Sequence, residues 1–180
     1  MIITAQEFRR YVTTDEEEQA LEAKLSALEL LIRAYTHNNF QQRTVRRMAD
    51  IAGQTFVMDK NIFKVGDTVQ VTESNFNDGL YTVTAADDST ITVKEDTTDE
   101  EFVYLTRVVY PMDVKMGVVN LMKWELQNRD KVGVQSESIS RHSVTYFNMD
   151  GDNSTMGYPK SLLGFLKPYM KARFGQGVRV

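Results

Sequence analysis

The sequence predicts an α+β protein: a small helical bundle with a β-hairpin and an inserted small antiparallel β-barrel or sandwich. Apolar residues recur at helical spacing near the start of the chain and again after residue 111. Between residues 53 and 110 apolar and polar residues alternate instead, as is typical of strands. The chain has 180 residues, enough for one domain carrying an insert. We therefore assign residues 1–52 and 111–180 to a helical domain and residues 53–110 to a β domain.

The first 40 residues carry signals for two helices. Residues 4–7, TAQE, have the form of a capping box and predict a short helix with Phe8 facing inward. Residues 14–17, TDEE, repeat the form and predict a second helix that ends near His37, before two asparagines. One continuous apolar face marks this second helix: Leu21, Leu25, Leu28, Ile32 and Tyr35.

Residues 40–51 fit either a strand or a short helix, because their apolar positions satisfy both spacings in part. We favour an extended segment that leads into the β domain. It contains a small basic cluster, Arg43, Arg46 and Arg47. Such a cluster could contact DNA phosphates, but is more often a solvated or protein-contacting surface.

The β domain shows four or five short strands separated by turns rich in Gly, Asp and Asn. Residues alternate in five segments: 68–72, 81–84, 90–94, 102–105 and 108–110. This spacing predicts a small antiparallel barrel or sandwich. Residues 54–106 contain eleven acidic and three basic residues, a net charge of −8. That charge argues against an RNA-binding barrel, because phosphate contacts need Lys and Arg.

Residues 111–129 form the most apolar long segment of the chain. Their apolar side chains cover most of a helical wheel, so this helix must be covered on several sides, by its own domain or by a neighbouring subunit. Pro111 suits the first turn, and Asp113 suits the positive end of the helix dipole. The Asn-Arg pair at 128–129 and Gly133 indicate the end of the helix.

The last quarter of the chain returns to extended character before a final helix. Residues 134–148 predict a hairpin or a projecting loop, and residues 149–157 form a polar loop. Pro159 opens the last helix, which has a broad apolar side, and Pro168 should kink or end it. From Lys160 onward there are five basic residues and no acidic one.

No motif for catalysis, a metal or a cofactor is present in the sequence. There is no cysteine, and His37 and His142 have no partner at ligand spacing. Residues 150–153 lack the distal glutamate of a calcium loop. Composition is that of an ordinary globular protein, with 42% hydrophobic and 26% charged residues. We do not expect an enzyme, because the sequence lacks such motifs. We also expect no membrane span, because no apolar run reaches about 18 residues.

Residues 118–129 (VVNLMKWELQNR), 137–146 (ESISRHSVTY) and 159–169 (PKSLLGFLKPY) together resemble the head–tail connector (adaptor) family of tailed bacteriophages. Residues 118–129, VVNLMKWELQNR, resemble the family's apolar helix, which ends in an aromatic-Glu-x-x-Asn-Arg pattern. Residues 137–146, ESISRHSVTY, resemble its hairpin, with Ser140 where glycine is common. Residues 159–169, PKSLLGFLKPY, resemble its closing helix. The order of these motifs is a stronger signal than any one of them.

The resemblance implies a structural virion protein at the head–tail interface, made in the host bacterial cytoplasm. Family members form rings of about a dozen subunits under the portal, through head-to-tail contacts that close. Implied partners are further copies of the chain, the portal protein, and a stopper or tail-completion protein. DNA would pass through the lumen without sequence-specific binding, and no cofactor or membrane is implied.

Site residues follow from the same resemblance. The expected subunit interface consists of Met122, Trp124, Ile139, Val144 and Tyr146. The expected portal-docking tail consists of Arg173, Phe174, Val178, Arg179 and Val180. The alternative is a nucleic-acid-binding regulatory protein that uses Arg43, Arg46 and Arg47.

Overall fold

The computed structural model describes residues 1–129, 136–139, 142–145 and 152–172. The chain divides into two compact units. The barrel unit consists of Met1 and residues 39–110, and the helical unit of residues 2–38 and 111–180. The strand-rich unit therefore begins before residue 53, because the segment from residue 41 onward is already a strand of its sheet.

Six antiparallel strands form the barrel unit: β1 (Gln41–Ala52), β2 (Thr55–Val57), β3 (Thr68–Thr72), β4 (Gly79–Ala86), β5 (Thr90–Val93) and β6 (Glu100–Val108). They pair in the order β1-β2-β5-β4-β3-β6, and β6 closes the barrel on β1. The predicted α+β class and the small antiparallel barrel are confirmed. Closure removes the sheet edges on which other chains could pair.

The structure decides the segment that fitted either a strand or a helix, and it corrects two predicted strands. The extended interpretation of residues 40–51 is confirmed, and this segment becomes the longest strand of the barrel. Residues 102–105 and 108–110 are not separate strands, since residues up to Val108 belong to β6. The reason is its ladder with β3, which continues without a break from the pair Thr68–Val108 to the pair Thr72–Tyr104.

Alternating side chains of all six strands fill the barrel interior. The buried residues are Ala49, Ile51, Phe56, Met58, Phe63, Val69, Val71, Tyr81, Val83, Ile91, Val93, Val103 and Leu105. Phe56 and Tyr81 meet in an edge-on arrangement, with ring centroids 5.8 Å apart. Each large apolar side chain buried here contributes about 1.5–3 kcal/mol relative to exposure.

Where the structure describes it, the helical unit contains three α-helices, two small ladders and a terminal 3₁₀ helix. The α-helices are α1 (Ala5–Arg9), α2 (Glu18–Thr36) and α3 (Met112–Asn128). The strands are β7 (Ser136–Ile139), β8 (His142–Thr145), β9 (Ser154–Thr155) and β10 (Tyr158–Pro159). The terminal 3₁₀ helix runs over Lys160–Tyr169. In the parts of the chain that the structure describes, no helix has the length and apolar content to cross a bilayer.

Of the two predicted capping boxes, the first caps a helix and the second does not. The Thr4 hydroxyl accepts a hydrogen bond from the Glu7 backbone N–H at 3.1 Å, and α1 begins there. The second prediction is wrong: α2 begins at Glu18 without a side-chain cap. The Thr14 hydroxyl instead accepts from the Glu16 N–H at 3.2 Å, a local turn that competes with capping.

The predicted apolar face of α2 is buried except at Tyr35, which is half-buried. Pro111 lies just before α3 rather than in its first turn, and Asp113 occupies the first turn as predicted. Along α3 the buried residues are Val114, Gly117, Val118, Val119, Leu121 and Met122. Met112 is exposed, so the helix is not covered all round within its own unit.

The predicted hairpin is confirmed by the pairing of β7 with β8, from the pair Ser136–Thr145 to the pair Ile139–His142. Ser140, which stands where glycine is common in the family, lies outside the described residues. The last helix follows Pro159 as predicted, in 3₁₀ geometry, and ends one residue after Pro168.

Candidate protein-contact sites

Trp124 belongs to a cluster of aromatic and charged side chains at the C-terminal end of α3. Its ring and that of Tyr158 meet edge-on, with centroids 5.4 Å apart. The Arg129 guanidinium lies 5.2 Å from the Trp124 centroid and 4.9 Å from the Tyr158 centroid. Arg129 also donates to both carboxylate oxygens of Glu125 and, at 3.1 Å, to the Gly157 carbonyl. The cluster thus ties the end of α3 to the segment that precedes the 3₁₀ helix.

Charges in this cluster are stable around neutral pH. Burial and the Glu125 carboxylate raise the pKa of Tyr158 to about 12. Burial also raises the pKa of Glu125, but hydrogen bonds from Arg129 and Tyr158 outweigh it, and the pKa is lowered overall. The hydrogen bond to Glu125 raises the pKa of Arg129 despite burial. A neutral tyrosine beside a permanent ion pair suits a structural clamp better than proton transfer.

Beside this cluster lies a surface cavity of about 240 Å³ between α2 and α3. Its lining residues are Lys24, Ala27, Leu28, Leu31, Met122, Glu125 and Tyr158. The lining is mainly apolar and includes one cation, Lys24, and one carboxylate, Glu125.

The expected subunit-interface residues fall into three groups. Met122 is buried in the core of the helical unit, and Trp124 is half-buried in its cluster. Ile139 and Val144 lie on the two strands of the hairpin. The remaining residues lie outside the described part of the chain: Tyr146 and the tail residues Arg173, Phe174, Val178, Arg179 and Val180. The interface and tail assignments therefore stay predictions.

Two arginines of the basic cluster are held by groups of the barrel unit. Arg46 forms an ion pair with Glu73 at 2.9 Å and lies 4.1 Å from the Tyr104 ring centroid. Arg47 donates to the Lys60 carbonyl at 3.2 Å and to the Arg46 carbonyl at 2.9 Å. Arg43 is exposed. Residues 39–110 carry twelve acidic and seven basic residues, a net charge of −5, which does not favour a nucleic-acid surface.

A groove of about 440 Å³, lined by both apolar and charged residues, opens on the barrel surface, and we call it the Phe102 groove. Its lining residues are Arg47, Met48, Ala49, Asp50, Val57, Met58, Asp59, Lys60 and Phe102. Three apolar side chains that line it are exposed: Met48 by 51%, Val57 by 43% and Phe102 by 63%. Exposed apolar side chains gathered at one groove mark a surface suited to binding another protein.

Phe102 points out of the barrel at a β-bulge. The pairing of β1 with β6 shifts between the pairs Ala49–Val103 and Ile51–Glu100, and Phe102 adopts a left-handed φ of 61°. Its backbone N–H donates to the Asp50 carboxylate at 2.9 Å. A bulky residue in this conformation costs about 1–3 kcal/mol, so the rest of the barrel holds it there. Bulges commonly redirect one side chain.

Residues 73–78, which we call the Phe76 loop, are organised around the Glu100 carboxylate. Glu100 accepts from the Asn75 N–H at 2.6 Å, the Asn77 amide at 2.8 Å and the Ser74 hydroxyl at 2.5 Å. The Asn75 N–H and the Ser74 hydroxyl are the main reasons why the pKa of Glu100 is lowered to about 2. Phe76 lies within this anchored loop and is 74% exposed.

Neither the Phe102 groove nor the Phe76 loop was predicted from the sequence. Alternation of Phe102 with the buried Val103 and Leu105 was the one signal that placed its side chain outside. No family model and no curated protein matches the sequence. The described ranges also contain no group of three or more His, Cys, Asp or Glu side chains that could hold a metal ion.

Proposed function

We propose that this chain is a head–tail connector of a tailed bacteriophage. It would form a ring under the portal of the virion and join the DNA-filled head to a stopper or tail. The observation that carries this proposal is the order of the elements after the barrel: an apolar helix, a hairpin and a short closing helix. The hairpin and the closing helix fall on the segments whose residues resemble the corresponding parts of the connector family.

Contacts within the helical unit supply a physical reason for the aromatic-Glu-x-x-Asn-Arg pattern. Trp124 and Arg129 pack against Tyr158, and Glu125 holds the Arg129 guanidinium. The Asn128 amide donates to the Trp124 carbonyl at 3.2 Å, in the last turn of the helix. The residues of the pattern thus act together to hold the end of α3, as a structural motif would, and this supports the proposal.

The alternative function, a nucleic-acid-binding regulator, is supported less well. Arg46 and Arg47 are already engaged by groups of their own unit, and the surrounding unit carries a net negative charge. A regulator needs cations free to replace counterions on phosphates. A connector needs surfaces for protein contacts, and the exposed groove and loop of the barrel unit provide them.

Two experiments test the proposal. The first is negative-stain electron microscopy of the purified protein over a concentration series. The second measures its binding to portal-bearing heads that lack their connector. We expect rings with a central hole, either free or on the heads. A protein that stays monomeric and also fails to attach to such heads would refute the connector function. Duplex DNA binding that weakens steeply with salt would favour the regulator instead.

A further inference from the structure

The surface cavity between α2 and α3, which we call the α2–α3 cavity, has a buried apolar floor and a more exposed mouth. Leu28, Met122 and Tyr158 line it and are buried. Ala27 and Leu31 line it as well, and of these Ala27 is exposed and Leu31 is half-buried. Apolar groups that border a cavity lack packing partners on one side, so an apolar guest gains van der Waals contacts there.

The two charged residues that line the cavity already have partners. The Lys24 ammonium lies 2.5 Å from a carboxylate oxygen of Glu16. The Glu125 carboxylate accepts a hydrogen bond from Nε of Arg129 at 2.8 Å. An ionic ligand would have to compete with these pairs, whereas an apolar side chain would not. The cavity therefore favours an uncharged, apolar guest.

The size and lining of the cavity suit a phenyl ring. Its volume is about 240 Å³, and an apolar cavity of about 150 Å³ is large enough to hold benzene. The Tyr158 ring can meet a second aromatic ring edge-on or offset, the arrangements that aromatic pairs prefer. The flexible side chain of Met122 can adapt to the shape of the guest.

The end of the 3₁₀ helix is anchored at the C-terminal end of α2. The Asn38 amide donates to the Tyr169 carbonyl at 3.1 Å, and the Lys171 N–H donates to the Thr36 carbonyl at 2.8 Å. The Tyr169 hydroxyl donates to the Asp113 carboxylate at 2.7 Å. These hydrogen bonds fix the position along α2 from which the C-terminal tail continues.

Phe174, the one aromatic residue of positions 173–180, is within reach of the cavity in its own chain. It follows Lys171 by three residues, which span at most about 10 Å. Leu31 precedes Thr36 by five residues, or about 7.5 Å along the axis of α2. Leu31 and Tyr35 are four residues apart and lie on the same face of α2, so this face leads from the anchored segment to the cavity.

We propose that Phe174 packs into the α2–α3 cavity of its own chain. The short tether to Lys171 gives the phenyl ring an effective concentration of about millimolar at the cavity, far above that of a second copy in dilute solution. The contact goes beyond the connector function and does not depend on it. In a connector, it would fix the start of the tail and leave residues 175–180 for the portal.

Methyl NMR of the full-length chain with ¹³C-labelled methionine tests the contact. Phe174→Leu keeps an apolar side chain but removes the aromatic ring and its ring-current effect. We expect the methyl signal of Met122, which lines the cavity, to shift in this variant. The signal of Met112, an exposed residue of the same unit that does not line the cavity, should stay in place. An unmoved Met122 signal overturns the proposal.

Photo-crosslinking identifies the chain that supplies the ring. Phe174 is replaced by p-benzoylphenylalanine, which keeps an aromatic side chain and reacts readily with methionine. A mixture of isotope-labelled and unlabelled full-length chains is then irradiated. We expect crosslinks within one chain that map to residues 24–31 or to Met122. Crosslinks between different copies, or crosslinks to other segments, overturn the proposal.

A matched pair of variants separates the cavity from the rest of α2. Leu31→Lys places an ammonium at the mouth and should lower the crosslink yield at least about fivefold, because apolar surroundings oppose a charge. Leu30→Lys changes the neighbouring leucine, which is 62% exposed and does not line the cavity, and should leave the yield unchanged. If Leu31→Lys fails to fold, Ala27→Lys at the exposed mouth takes its place. A yield that persists in the folded cavity variant contradicts the contact, whether or not the protein attaches to heads.

Discussion

Gly117 permits the terminal 3₁₀ helix to pack against α3, and Gly117→Ala should disturb this packing. A Cβ at Gly117 would lie 2.3 Å from Cε2 and Cζ of Phe165 and 2.5 Å from its Cδ2. Carbon atoms in contact are normally about 3.5–4.0 Å apart, so the ring would have to retreat by more than about 1 Å. Gly117 is buried within the helix, and Phe165 is half-buried, so we expect the ring to move.

The expected free-energy change combines two opposing contributions. Alanine favours the helix by about 0.8–1 kcal/mol relative to glycine. Overpacking against Phe165 costs about 1–3 kcal/mol. We therefore expect Gly117→Ala to lower the free energy of unfolding by about 1 kcal/mol. In a Phe165→Ala background the obstructing ring is absent, and the same substitution should raise the free energy of unfolding by about 1 kcal/mol.

Urea unfolding of the four proteins in this cycle measures the effect. Trp124 is the only tryptophan, and its fluorescence reports on the helical unit. The diagnostic result is that Gly117→Ala lowers the free energy of unfolding when Phe165 is present and raises it when Phe165 is replaced by alanine. This change of sign corresponds to a coupling energy of about 1–3 kcal/mol. If Gly117→Ala stabilises the protein equally in both backgrounds, Phe165 does not pack on α3 as described.

Three further predictions concern the Trp124 cluster, the Phe76 loop and the C-terminal tail. Trp124→Ala should lower the free energy of unfolding by about 1.5–3 kcal/mol, as measured by thermal unfolding followed by circular dichroism. The expected loss is smaller than for a fully buried tryptophan because the Trp124 ring is half-buried. Glu100 has a lowered pKa of about 2, so its contribution to stability is complete above its ordinary value of 4.5 and is lost as the pH falls from 4.5 toward 2. Glu100→Gln should flatten this pH dependence of unfolding and speed amide hydrogen exchange at Phe76. Deletion of residues 175–180 should leave the melting temperature unchanged and weaken attachment to heads.

Each of these predictions has a contradicting result. An unchanged melting temperature for Trp124→Ala, combined with lost rings, would show that Trp124 serves a subunit interface and does not stabilise its own unit. If the Glu100→Gln protein loses stability at acid pH as steeply as the unchanged protein does, the Glu100 carboxylate does not anchor the loop. If the truncated protein attaches to heads as well as the full chain does, residues 175–180 have no role in portal docking.

The sequence alone was sufficient to predict the local and periodic features of this fold. The apolar face of α2, the Thr4 cap and the alternation in β3, β4 and β5 each depend on residues that are close along the chain. The hairpin and the start of the last helix were also predicted, because strand alternation and a proline before a helix are local signals. The resemblance drew attention to Trp124 and Arg129 as parts of one pattern.

Features that join distant segments were decided only by the tertiary structure. Residues 40–51 form a strand rather than a helix because β6, some sixty positions away, supplies a ladder partner. Phe102 adopts its left-handed backbone conformation where Asp50, 52 positions earlier, accepts its N–H, and Glu100 anchors a loop about 25 positions before it. The Tyr158 that completes the Trp124 cluster likewise comes from another segment. Periodicity reports which face of an element is apolar, but hydrogen bonds between segments decide which side chains are then held at the surface.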